Sequence, residues 1–200
     1  MRIKYNAPTV LSFAFTSVLV LALSQTLFRF YPLEELWFSV PGKGGFNPAS
    51  PRCWITLFTH AAGHAGWPHL VSNFMVILLI GPILEEYYGS LHLLFMILVT
   101  ALVTGLFNIA FFNKSLLGAS GVVFMMILLA SFTNFTAGEI PLTFILILIL
   151  YLGREILNSF DPDNISQFAH IVGGFTGSLF GFLRPRRGRE REGRKRPLPA

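Results

Sequence analysis

Charge is scarce in this 200-residue chain: Asp, Glu, Lys and Arg make up 12% of it, against 53% hydrophobic residues. A soluble domain carries about 25% charged residues, so that class is excluded and an integral membrane protein is indicated. Cysteine occurs once, at Cys53, which excludes an internal disulfide framework and leaves it as a small packing residue. The apolar stretches lack the polar–apolar alternation of a transmembrane barrel. No small-x-small cleavage site clearly follows the first of them, so it reads as a retained anchor rather than a signal peptide, although Arg2 and Lys4 precede it.

What is abundant is continuous apolar sequence. Spanning hydrocarbon takes about 20 apolar residues, and candidate spans run Pro8–Phe30, Pro68–Glu85, Leu91–Phe112, Leu117–Phe132, Ile140–Leu157 and Ile165–Leu183. In lipid the backbone must satisfy its own hydrogen bonds, so these are helices. The expected fold is an all-α membrane protein, a bundle of six transmembrane helices. An outer loop, Tyr31–Thr59, joins spans 1 and 2, and its Trp, Phe and Pro content suits the membrane interface.

Cations set the expected orientation. Arg2 and Lys4 precede span 1, and Arg184, Arg186, Arg187, Arg189, Arg191, Arg194, Lys195 and Arg196 follow span 6, so both termini are expected to be cytoplasmic. The domain division is a transmembrane domain over 1–184 and a basic, disordered tail over 185–200. For that tail a topology signal held at anionic headgroups is a better reading than nucleic-acid binding.

With the N-terminus inside, spans 2, 4 and 6 begin at the outer face. His69 and Asn73 open span 2, Ser120 opens span 4 and His170 opens span 6, all within about two turns, or 10 Å, of the outer surface. A serine hydroxyl becomes a competent nucleophile when an imidazole accepts its proton, and Ser120 and His170 share the parity and depth that let them meet. His69 and Asn73, four residues apart, share a helix face and can both donate to a developing oxyanion, with the Ser120 backbone N–H as a further donor. Gly118, Ala119 and Gly121 leave room for a scissile carbonyl. Gly173, Gly177 and Gly181 form a strip for close packing of span 6 on span 4.

The chain resembles the rhomboid family of intramembrane serine proteases. The resemblance rests on His60, His64, His69 and Asn73 in THAAGHAGWPHLVSN, on Gly118, Ser120 and Gly121 in GASG, and on Ala169, His170 and Gly173 in AHIVGG. GPILEEYYGS, with Gly81 and Glu85, is similar to the family's span 2 exit. The resemblance implies a six-helix rhomboid core, a nucleophilic Ser120, His170 as general base and then acid, and an oxyanion hole helped by His69 and Asn73. It implies a dyad without a third acidic member, so Asp161 and Asp163 are expected in the loop over the site. It also implies transmembrane proteins as substrates, a bacterial inner-membrane location with the site open to the outer face, and span 5 as a movable gate. Phe124 stands where the family often has a Tyr that stacks under the histidine, and Trp37, Arg52 and Trp54 only approximate its Trp-Arg pair. No cofactor and no oligomeric state is implied.

Two other readings remain. His60, His64 and His69 offer three imidazoles for zinc, but HExxH is absent and no carboxylate stands beside them; as rhomboid residues His60 and His64 are structural or water-retaining. The rival from a different class is a non-catalytic rhomboid-like scaffold that binds membrane proteins. Such proteins usually lose the serine or the histidine, and both are intact here.

Overall fold

The computed structural model describes residues 5–28, 30–132 and 165–183, with residues 142, 145, 146 and 149 between them; the side chains of 132, 165–170, 181 and 182 lie outside this description. The expected span Ile140–Leu157 falls almost wholly outside the described residues, as does the tail 185–200.

Helices dominate the described chain: α1 (Pro8–Gln25), α2 (Leu33–Trp37), α3 (Pro51–Thr59), a 3-10 turn (His60–Ala62), α4 (Trp67–Tyr88), α5 (Ser90–Phe111), α6 (Ser120–Phe132) and α7 (Ile165–Leu183). Among them α1, α4 and α5 are long and apolar enough to cross a membrane, and Ser120–Ser131 and Ile171–Phe180 are shorter apolar stretches. Their outward faces stay apolar, with Phe15, Leu79, Leu91 and Phe175 exposed, as expected where lipid replaces water.

The first helix is shorter than its apolar run. It ends at Gln25 rather than Phe30, because Thr26 leaves helical geometry and the Phe28 N–H closes onto the Leu23 carbonyl at 2.9 Å, just ahead of Pro32. The outer loop then carries α2 and α3. At the entry to α4, Pro68 occupies the first turn, where its missing N–H costs nothing.

The helices pack around α4 and α6, where Phe74, Ile77 and Leu84 meet Val122, Met125 and Met126 in a core that also takes Val10 and Leu21 of α1 and Leu93 and Met96 of α5. Gly81 of α4 lies against Val10, whose Cγ2 would stand 2.7 Å from any Cβ there. One turn on, the buried Glu85 accepts hydrogen bonds from the N–H groups of Thr9 (2.9 Å) and Val10 (3.0 Å). The start of α1 has no side-chain cap of its own, so a carboxylate from α4 satisfies amides that the helix cannot pair internally.

The closest approach is between α6 and α7. A Cβ at Gly173 would collide with the Gly121 carbonyl, and one at Gly177 would lie 2.5 Å from the Met125 carbonyl oxygen. The two backbones are therefore in direct contact along the glycine strip of α7, as the sequence reading expects of spans 4 and 6.

Candidate active site

The site begins with the 3-10 turn after α3. His60 is 2% exposed, and its Nε2 donates to the Ala101 carbonyl on α5 at 3.1 Å, so Nδ1 is left as a buried acceptor with no partner among the described residues. His64 is 1% exposed and reversed: Nδ1 donates to the Ala62 carbonyl at 3.2 Å, and Nε2 is the acceptor without a partner among them. Burial pushes both imidazoles down to about 4, so both are neutral at pH 7.

Beyond His64 the chain enters α4, and the His69 ring stands edge-on to His64 with centroids 5.0 Å apart. On its other side His69 meets the segment that leads to Ser120. A Cβ at Gly118 would fall 2.6 Å from His69 Cε1 and 2.8 Å from Nε2, so the ring rests on a bare backbone. Gly118 has φ +119°, a left-handed conformation that excludes most side chains, and its N–H donates to the His60 carbonyl at 2.9 Å. Just before it, Leu116 and Val40 exchange two backbone hydrogen bonds of 2.9 Å each, tying this segment to the outer loop.

Ser120 is half-buried and opens α6. The amides of a helix's first turn lack carbonyls one turn back and carry the positive end of the dipole, so this end of α6 suits a developing anion. Asn73 lies one turn beyond His69 on α4; it is 7% exposed, and its Nδ2 has no partner among the described residues. Phe124, one turn into α6, is buried, and its ring lies where a Cβ at Gly174 would be. Gly121 meets Gly173, as described. His170 is on α7, one turn before Gly173 and Gly174; its side chain lies outside the described residues.

The structure thus gathers His60, His64, His69 and Gly118, with Ser120 two residues from the His69 contact. Among the described residues no three His, Cys, Asp or Glu side chains are grouped as metal ligands. Sequence reasoning passed over Glu34 of α2, whose carboxylate accepts the His64 backbone N–H at 2.8 Å and the Ser24 hydroxyl at 3.2 Å. Burial raises its carboxyl above the usual range, against the lowering effect of those two donors. The only signal was a carboxylate in a short Trp-bearing segment.

Residues 51–187 match the Rhomboid domain family, which is more than half of the chain. The chain belongs to the rhomboid family. It is 28% identical over 174 residues to "Putative rhomboid protease YdcA" of Bacillus subtilis (strain 168), covering 82% of this chain and 85% of that one. It is 32% identical over 175 residues to RHOMBOID-like protein 2 of Arabidopsis thaliana and 35% identical over 138 residues to Rhomboid-related protein 1 of Caenorhabditis elegans. Those matches cover 78% and 60% of this chain but 53% and 37% of the relatives, so this rhomboid spans about half or less of the length of the plant and nematode proteins. Membership makes it an integral membrane protein of a family of intramembrane proteases.

Proposed function

We propose that this rhomboid is an intramembrane serine endopeptidase that cleaves peptide bonds in or near the transmembrane segments of other proteins. The observation that carries the proposal is the His69 ring packed on the Gly118 backbone, which seats an imidazole beside the turn that presents Ser120.

In this reading Ser120 Oγ attacks the scissile carbonyl while His170 takes its proton. The register of α7 supports the pairing: position 170 lies one turn before Gly173, and Gly173 abuts Gly121, the neighbour of Ser120. The negative charge that forms on the carbonyl oxygen meets donors already in place. They are the Ser120 N–H at the start of α6, the His69 ring and the Asn73 amide, whose Nδ2 has no competing acceptor among the described residues. His170 then protonates the leaving amine, and water, activated by the same imidazole, releases the acyl group.

Water must reach a site inside the bundle. His60 Nδ1 and His64 Nε2 are neutral acceptors without donors among the described residues, and each suits a hydrogen bond from water on its way to the acyl-enzyme. Phe124 supplies a ring at the α6–α7 contact, and Gly118, Gly121, Gly173 and Gly177 keep the backbones close. Cytoplasmic termini, a site open to the outer face and a bacterial inner membrane complete the proposal.

The test is cleavage by wild type and Ser120→Ala reconstituted in liposomes with a fluorescent helix-bearing substrate, together with labelling by a serine-reactive probe. Cleavage and labelling lost only in Ser120→Ala support the protease. A wild type inert toward several substrates while still binding them would make the protein a non-catalytic scaffold.

A further inference from the structure

The turn that carries His64 into α4 is held from outside by α2, a five-residue helix in the outer loop. Three contacts make the hold. Glu34 accepts the His64 N–H at 2.8 Å and shares the Ser24 hydroxyl, at 3.2 Å, with the Leu21 carbonyl at 2.9 Å, so one carboxylate joins the end of α1 to the turn. Gly63 presses on the end of α2, where a Cβ would stand 2.7 Å from Phe38 Cβ. The Thr59 hydroxyl donates to the Trp37 carbonyl.

His64 in turn bears on His69. Their rings meet edge-on at 5.0 Å, and Phe74 also packs on His64, at 5.7 Å. The His64 ring also bonds within its own turn, to the Ala62 carbonyl. If the His64 backbone shifts, its ring shifts with it, and the surface His69 meets moves.

We infer that Glu34 is a positioning residue for the proposed oxyanion site: by fixing the His64 backbone it holds the His64 ring against His69, and so holds His69 on the Gly118 turn beside Ser120. This rests on the protease reading for its consequence in turnover, though not for the placement itself. Among the described residues no hydrogen bond joins Glu34 to Ser120 or Gly118; its bond to that side of the site is to the His64 N–H. Gln keeps a carbonyl oxygen for the His64 N–H, and its amide can donate to Ser24 Oγ, so charge is not required. Ala removes both bonds and leaves the His64 amide to find another acceptor in a buried turn.

Two measurements on the full chain test this. In histidine-labelled protein in micelles, NMR should show the His69 ring signals displaced by Glu34→Ala and restored by Glu34→Gln; signals unmoved by Glu34→Ala would overturn the inference whatever the protein's activity. In turnover, Glu34→Ala should lower kcat about tenfold or more with little change in KM, and Glu34→Gln should recover most of it. In a His69→Ala background the further loss from Glu34→Ala should vanish, because the residue being positioned is gone. Losses that multiply would show Glu34 acting as a general structural support and would refute the route through His69. A wild type without turnover refutes the protease reading alone, and the ring signals still decide the positioning.

Discussion

Gly173→Ala puts the α6–α7 contact to its hardest test. The added Cβ would lie 2.8 Å from both Cα and C of Gly121, and nearer still to its carbonyl oxygen, all of it helix backbone. No side chain can swing aside, so the helices themselves must part by about 1 Å or more to recover ordinary contact. Overpacking of this kind costs about 1–3 kcal/mol of stability. Because Gly121 adjoins Ser120 and position 173 is one turn from His170, the same separation opens the proposed dyad, and a displacement near 1 Å is worth up to about 100-fold in rate. Cleavage in liposomes should therefore fall about 10–100-fold in kcat/KM, with a lower midpoint in thermal unfolding. Gly66→Ala is the matched control: it too lies near the site, its φ of 167° is ordinary extended backbone, and its nearest neighbour would be 3.8 Å away. Wild-type turnover in Gly173→Ala would refute the argument that backbone contact sets the dyad.

The oxyanion donors give a graded expectation. Asn73→Ala and His69→Ala should each lower turnover about 10²–10³-fold in a steady-state cleavage assay while Ser120→Ala removes nearly all of it, and full activity in both would void their assignment. Stability should depend on pH through His60 and His64. Their folded values of about 4 lie below the ordinary imidazole value of 6.5, so as pH falls the unfolded chain binds protons first. The contribution is complete above pH 6.5 and is lost toward pH 4, at up to about 1.4 kcal/mol per pH unit for each imidazole. Glu34, whose folded value is raised above 4.5, works in the opposite sense just above that pH and offsets part of the loss. Thermal unfolding in detergent from pH 7.5 to 4.5 should show the midpoint fall most steeply below 6.5, with a flatter profile in His60→Gln.

Much of this architecture is legible because lipid simplifies the solvent. An apolar run of span length has one stable backbone form, so the runs beginning at Pro8, Pro68 and Leu91 become α1, α4 and α5 within a few residues of their expected bounds. The glycines of α7 announce close packing, since a helix gives up side chains at that spacing only to let a neighbour in. The His69–Gly118 contact joins the N-terminal ends of α4 and α6, the ends that span parity would set at one face. Glu34 was not legible: α2 is five residues long, too short to show a period, and its bond to His64 joins positions 30 apart. Nor does sequence reveal which nitrogen of His60 or His64 carries the proton, because that depends on whether Ala101 or Ala62 supplies the acceptor. Hydropathy also overran the end of α1, since Phe28 and Phe30 are as apolar as the helix although the chain has already turned at Thr26.

The cap that Glu85 places on α1 has a consequence for biosynthesis. The amide of Val10 emerges from the ribosome 75 residues ahead of the carboxylate that completes its helix. At about 5–20 residues per second that interval lasts about 4–15 s, during which α1 resides in the membrane with open first-turn amides and Glu85 does not yet exist. α1 is thus finished no earlier than α4, by a residue in the last turn of that helix. A truncated nascent chain ending before Glu85 holds an α1 whose first-turn amides still need a substitute acceptor, which water at the membrane surface supplies.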